Sequence, residues 1–183
     1  MLVGEAQADM RSGYLGGAPG VLASSIAWWA AAGVAWFMSP SQGMLTLVIA
    51  GMLIHPLGML IAKVLGARGA HSKGNPLAEI AAANTFWLIF GIVLAYLASL
   101  QRIEWFFSAM LLMIGGRYLT FAPMYGMRFY WVIGLVLAGA GLATGMLLRE
   151  AALVAAIGAS IELVGAVAAF VLSKESARTA TAD

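Results

Sequence analysis

Along the chain, long apolar runs alternate with short polar breaks, and six of the runs reach the roughly 20 mostly apolar residues that spanning a membrane requires. They cover roughly 19–38, 43–65, 77–99, 104–123, 129–148 and 151–172. The breaks carry turn chemistry: SPSQ at 39–42, GARGAHSKGNP at 66–76, LQRIE at 100–104, YGMR at 125–128 and RE at 149–150. Loops this short force neighbouring helices to run antiparallel. The pattern predicts an all-α polytopic bundle of six transmembrane helices over 19–172, after an N-terminal segment 1–18 and before a frayed, flexible tail 173–183. The first run is too long for a signal-peptide core and reads as an anchor that stays in place. No internal repeat is visible, so an inverted-repeat transporter fold has no support.

Composition agrees. Of 183 residues, 62% are hydrophobic and only 10% charged, against about 25% charged in soluble domains. The absence of cysteine excludes disulfides and thiolate metal sites, and two histidines leave little for a metal centre. We therefore expect no metal and no cofactor. A net charge of +2 gives no reason to expect nucleic acid as a partner.

The placement of charge says more. With six spans, Arg11, Lys63, Arg68, Lys73, Arg117, Arg128, Lys174 and Arg178 share one side, and only Arg102 and Arg149 fall on the other. The positive-inside rule then puts both termini in the cytoplasm. Lys63, Arg68 and Lys73 are expected to meet anionic lipid headgroups, each worth about 1 kcal/mol near a charged surface. Small residues set the helix contacts. In the sixth run Ala155, Gly158, Ala159, Gly165, Ala166 and Ala169 form one face, with Leu153, Val154, Ile157, Ile161, Val164 and Val171 opposite. Gly51, His55, Gly58 and Ala62 share a face of the second run, and Gly141 with Gly145 is a GxxxG pair. Such seams suit packing within the bundle, and a homodimer through them is the alternative.

Inside the spans, polar residues recur at one depth. At about 1.5 Å per residue, His55, Arg117 and Glu162 lie some 17–20 Å from the outer ends of their helices, and Asn84 with Thr85 lies near the same level. Ionisable groups inside spans are functional candidates by default. The expected arrangement is a polar cavity open to the cytoplasm, lined by His55, Asn84, Thr85, Arg117, Tyr118 and Glu162, with Arg117 turned toward Glu162 and Pro123 ending its helix. It would bind or move a small solute or a proton.

Each of these residues also has a plain structural role. Arg117 can snorkel to the headgroups. His55 can bond to a carbonyl freed by Pro56, and Asn84 and Thr85 can join helices. Asn75, Pro76 and Glu79 make a sound helix start. GYLGGAPG at 13–20 reads as a plain loop and helix start, since it lacks the spacing of a phosphate-binding fingerprint. GxSxG, HExxH and a mid-span lysine are all missing, which excludes rhomboid-like proteases, intramembrane zinc proteases and retinal proteins. Two alternatives to solute binding remain: an accessory protein whose buried charges only fix helix register, and a lipid-modifying enzyme using Glu162 or His55 as general base.

Several stretches taken together resemble a known family: GYLGGAPG with SSIAWW, GMLIHPLG, KGNPL with the following NT, GGRYLTFAPMYGMRFYW, and GASIE. Their order is similar to that in a family of small six-span bacterial membrane proteins known as a domain of unknown function. The resemblance covers nearly the whole chain. It implies a six-helix fold in a bacterial inner membrane and implies no activity.

Overall fold

The computed structural model describes residues 1–179. Helix α1 (Val3–Tyr14) leads through a left-handed turn into α2 (Ala18–Phe37). There follow α3 (Pro40–Val64), α4 (Leu77–Ser99), α5 (Glu104–Tyr125), α6 (Phe129–Leu147) and α7 (Ala151–Thr179). Among the described residues, six helices are long and apolar enough to cross a membrane, α1 and α2 counting as one. The helices follow the predicted apolar runs closely, and the differences are local and chemical. SPSQ is a helix start rather than a loop: Ser39 is the N-cap, its Oγ accepting from the Gln42 N–H at 3.3 Å, and Pro40 opens α3. Pro123 lies inside α5, which runs on to Tyr125 and ends at Gly126 in the left-handed region. Proline removes a donor only toward the preceding turn, so the chain can complete one more turn before stopping. The tail expected to fray from residue 173 continues α7 to Thr179, and residues 180–183 lie outside the described part.

The bundle is built on α2, α5 and α7. α2 packs against both α3 and α7, and α5 packs against α6 and α4. α3 and α4, consecutive in the chain, therefore stand on opposite flanks with most of their surface outward. Large apolar side chains cover that surface, among them Met52, Leu53, Phe86, Trp87, Phe90 and Leu94. Lipid is the solvent that makes such a surface stable.

The small-residue seams meet partners within the chain. A side chain at Gly115 of α5 would begin 2.5 Å from the Ala138 nitrogen of α6, and one at Gly141 would begin 2.6 Å from the Ser108 carbonyl oxygen. Only glycine permits this approach of α5 to α6. The face of α7 opposite its seam is less clean than expected, because Val154 is fully buried. In α3 the seam is half used: Gly58 sits against the Gly20 backbone, whereas Gly51 faces open space.

The N-terminal segment is a folded part of the bundle end. Ala6 and Met10 are buried, and polar residues of α1 tie down two other regions. Gln7 Nε2 donates to the Pro123 carbonyl at 2.7 Å and Arg11 Nη1 to the Tyr125 carbonyl at 2.6 Å, so α1 satisfies carbonyls left free at the end of α5. Asp9 organises the 65–76 loop. Its carboxylate accepts from Arg68 Nη2 at 2.6 Å, from Ser72 Oγ at 2.6 Å, and from the Ser72 N–H and Asn75 Nδ2, both at 2.8 Å. Burial raises the Asp9 carboxyl, but the bonds from Ser72, Arg68 and Asn75 outweigh it and hold the group well below the ordinary carboxylate range. Pro76, not Asn75, is the N-cap of α4, and Asn75 lies one position before it, its Oδ1 accepting from the Leu77 N–H at 3.0 Å.

The GYLGGAPG stretch is the corner between α1 and α2. Leu15, Gly16 and Gly17 take φ values of 49°, 63° and 88°. A Cβ at Gly17 would lie 2.6 Å from the Tyr130 hydroxyl, and that hydroxyl donates to the Gly16 carbonyl. The glycines let the backbone close on the Tyr125–Tyr130 stack, whose ring centroids are 5.6 Å apart.

Candidate functional site

Equal depth along a helix does not put side chains in one chamber. Successive residues are turned by about 100°, so neighbours such as Arg117 and Tyr118 face different ways. The structure divides the expected cavity into three places.

The first is a groove between α4 and α5, with a volume of about 270 Å³, lined by Asn84, Trp87, Leu88, Leu112, Met113, Gly116, Arg117 and Thr120. Its residues on α5 recur at helical spacing, and it opens sideways on the bundle surface, where Trp87 is 66% exposed. Asn84 is buried and donates from Nδ2 to Thr120 Oγ1 at 2.9 Å, while Thr120 Oγ1 donates to the Arg117 carbonyl at 2.7 Å. The Arg117 guanidinium lies 5.6 Å from the centre of the Phe121 ring, a cation–π distance. Its Nε is buried and has no hydrogen-bond partner.

The second place is the interior face of α5. Tyr118 is buried, and its hydroxyl donates to Glu162 Oε1 at 3.2 Å. Glu162 on α7 is 0% exposed, Ser24 of α2 adjoins its carboxyl, and Oε2 has no partner. The expected Arg117–Glu162 ion pair is not formed, since no nitrogen–oxygen approach within 4.0 Å joins them. The cause is geometric: Arg117 faces α4, and Glu162 faces the interior through Tyr118.

The third place is the outer surface. His55 is exposed on α3, away from both groups, and lines no part of the groove. Thr85 is also exposed and bonds back to the Ala81 carbonyl at 3.1 Å. Both fall outside the expected cavity: α3 packs on α2 at the flank of the bundle away from α4, and α4 meets α5 with its Asn84–Leu88 face, which turns Thr85 outward. All three loop cations, Lys63, Arg68 and Lys73, are exposed, and Arg68 is also bonded to Asp9 within the protein.

Sequence reasoning missed Thr120, Trp87 and Asp9. The helical spacing of Met113, Gly116, Arg117 and Thr120 was a readable signal for the groove. Asp9 left none, because its partners lie 59 to 66 positions away.

This is an all-helical protein of membrane-spanning architecture in which a half-buried basic residue, Arg117, lines a lateral groove and pairs with no acid among the described residues. It belongs to the family described as "Family of unknown function (DUF7010)", whose model matches residues 3–173. No curated protein and no solved structure matches the chain.

Proposed function

We propose that this protein binds a small anionic solute in the α4–α5 groove, with Arg117 as the anion's ligand. The observation that supports this reading is a guanidinium at membrane depth with, among the described residues, no carboxylate within 4.0 Å and a buried Nε that has no partner. A lone cation at this level costs about 2.5–3.5 kcal/mol on insertion scales, and an incoming anion would offset that cost. Guanidinium forks suit carboxylate and phosphate. Asn84 and Thr120 add neutral polar atoms at the same end of the groove. The Lys and Arg bias assigns that end to the cytoplasmic side, and the family resemblance favours a bacterial inner membrane. A sideways opening favours binding over passage along the bundle axis.

A second reading applies to Glu162. Complete burial beside Tyr118 favours a role in fixing α7 against α5 over contact with solute or solvent. An enzyme using His55 or Glu162 as base gains no support, since neither lines the groove.

The test is a titration of protein labelled with nitrogen-15 arginine, in nanodiscs of zwitterionic lipid. The Arg117 Nε–H resonance is assigned by its loss in Arg117→Lys. Butyrate should shift that resonance saturably, with half-saturation on the order of 10 mM, and leave Arg102 and Arg149 unmoved. No saturable shift up to ten times that concentration would refute anion binding at Arg117.

A further inference from the structure

The groove has two chemically distinct ends, and its two walls change character in the same direction. α4 and α5 are antiparallel, so α4 runs from Asn84 to Trp87 and Leu88 while α5, read backwards, runs from Thr120 and Arg117 to Met113 and Leu112. Both walls are polar near the α1 end of the bundle and apolar toward its middle. The change takes about 12 Å along α5, from Thr120 to Leu112. From these walls, and resting on the anion-binding reading above, we infer that the solute is a single-chain anionic amphiphile with a compact carboxylate head, taken sideways from the bilayer. Its head meets Arg117, and the first part of its chain lies along Trp87, Leu88, Leu112 and Met113.

Three observations narrow the class. The groove's 270 Å³ lies just under the range of about 300–1,000 Å³ typical of ligand pockets. It therefore holds a head and part of one chain, and the remainder stays among lipid tails through the lateral opening. Arg117 lies eight residues before the end of α5, about 12 Å from it. A carboxylate reaches this depth more easily than the larger head of a two-chain phospholipid. The third observation concerns the floor and far end. A Cβ at Gly116 would meet nothing within 4 Å, so the floor is open beside Arg117. At the far end, Met113 lies against Gly91, where a flexible thioether can adjust to chains of different shape.

The experiment uses the full chain in nanodiscs and three probes: undecanoate, butyrate and undecanol. Two readouts are followed, the Arg117 Nε–H resonance and quenching of Trp87 by 11-bromoundecanoate, the latter taken as the difference from Trp87→Phe. Undecanoate should saturate the Arg117 shift at a concentration at least 30-fold below butyrate, and the bromo acid should quench Trp87. Undecanol should neither move Arg117 nor compete. A Cβ at Gly116 meets nothing within 4 Å, so Gly116→Leu should fold with an unchanged thermal midpoint and weaken undecanoate at least 10-fold.

The other outcomes separate the two claims. Equal half-saturation by butyrate and undecanoate, with no quenching of Trp87, would leave the anion site standing and overturn the amphiphile. No Arg117 shift with either acid would overturn the site itself. Undecanol competing as well as undecanoate would show an apolar slot that ignores charge and overturn the carboxylate-headed amphiphile, while the butyrate shift still decides the anion site. Nanodiscs of anionic phospholipid that shift Arg117 fully without added acid, and block undecanoate, would identify a two-chain bilayer lipid as the source and overturn the single-chain class.

Discussion

Asp9→Ala should release α1 from the bundle end and lower stability by about 2–4 kcal/mol, since hydrogen bonds to a charged group contribute about 1.5–3 kcal/mol each and are not additive. The loss is not confined to the carboxylate. Arg68, Ser72 and Asn75 each direct a donor at it, and buried Asn75 would be left without this acceptor, whereas exposed Arg68 would turn to water. Asn75 also accepts from the Leu77 N–H at the start of α4, so disorder in the 65–76 loop would reach the helix that forms one wall of the groove. Asp9→Asn keeps one acceptor oxygen and should lose about half as much. Hydrogen exchange would check the location: amides of 3–14 and 66–76 should exchange about 100-fold faster, while those of α5 and α7 change little. A uniform increase across the bundle would contradict a local clasp. Because the folded carboxyl is held below its unfolded value of about 3.9, this contribution is present above that pH and is lost as pH falls through the folded pKa. Stability from the clasp should therefore be flat across neutral pH.

Tyr130→Ala should cost about 3–5 kcal/mol, the range for truncating a large buried aromatic. Tyr130 is fully buried at the centre of a ring cluster that includes Tyr118, Phe121, Tyr125 and Phe129, with centroid separations from 5.4 to 5.9 Å. Its hydroxyl reaches the Gly16 carbonyl, so the ring also secures the left-handed corner between α1 and α2. Tyr130→Phe isolates that bond. It keeps the packing, strands one carbonyl and should cost only about 1–2 kcal/mol. Thermal unfolding of both variants in one detergent measures the difference. Equal losses would mean that the hydroxyl, and not the ring, holds the corner.

The spans were legible because lipid imposes a simple rule. A run of about 20 apolar residues is a helix, since an unpaired backbone has no water to turn to. Helix ends were less legible, and the misses at Pro40 and Pro123 have one cause: proline disturbs only the turn before it. The polar layer was legible in depth and not in direction. Tyr118 meets Glu162, and Asn84 meets Thr120 one turn from Arg117, yet depth counts residues and facing depends on packing. α5 turns Tyr118 inward because Gly115 on the same side admits α6 closely, and this leaves Arg117 toward α4. His55 was grouped with them on depth alone. The α1 clasp was invisible for a different reason: a single aspartate in a weakly polar stretch joins residues some 60 positions away, and no local pattern marks such a contact.

Anion binding requires that Arg117 serve the groove rather than Glu162, and a double-mutant cycle tests this most directly. Arg117→Met, Glu162→Leu and the double variant would be unfolded in the same detergent. The predicted result is near additivity, with a coupling below about 1 kcal/mol, because neither substitution strands the other group. Glu162→Leu should cost about 1–3 kcal/mol through the abandoned Tyr118 hydroxyl, and Arg117→Met should be near neutral. The contradictory result is that each single change costs about 3–5 kcal/mol while the double variant recovers most of the loss, which is the behaviour of a buried ion pair.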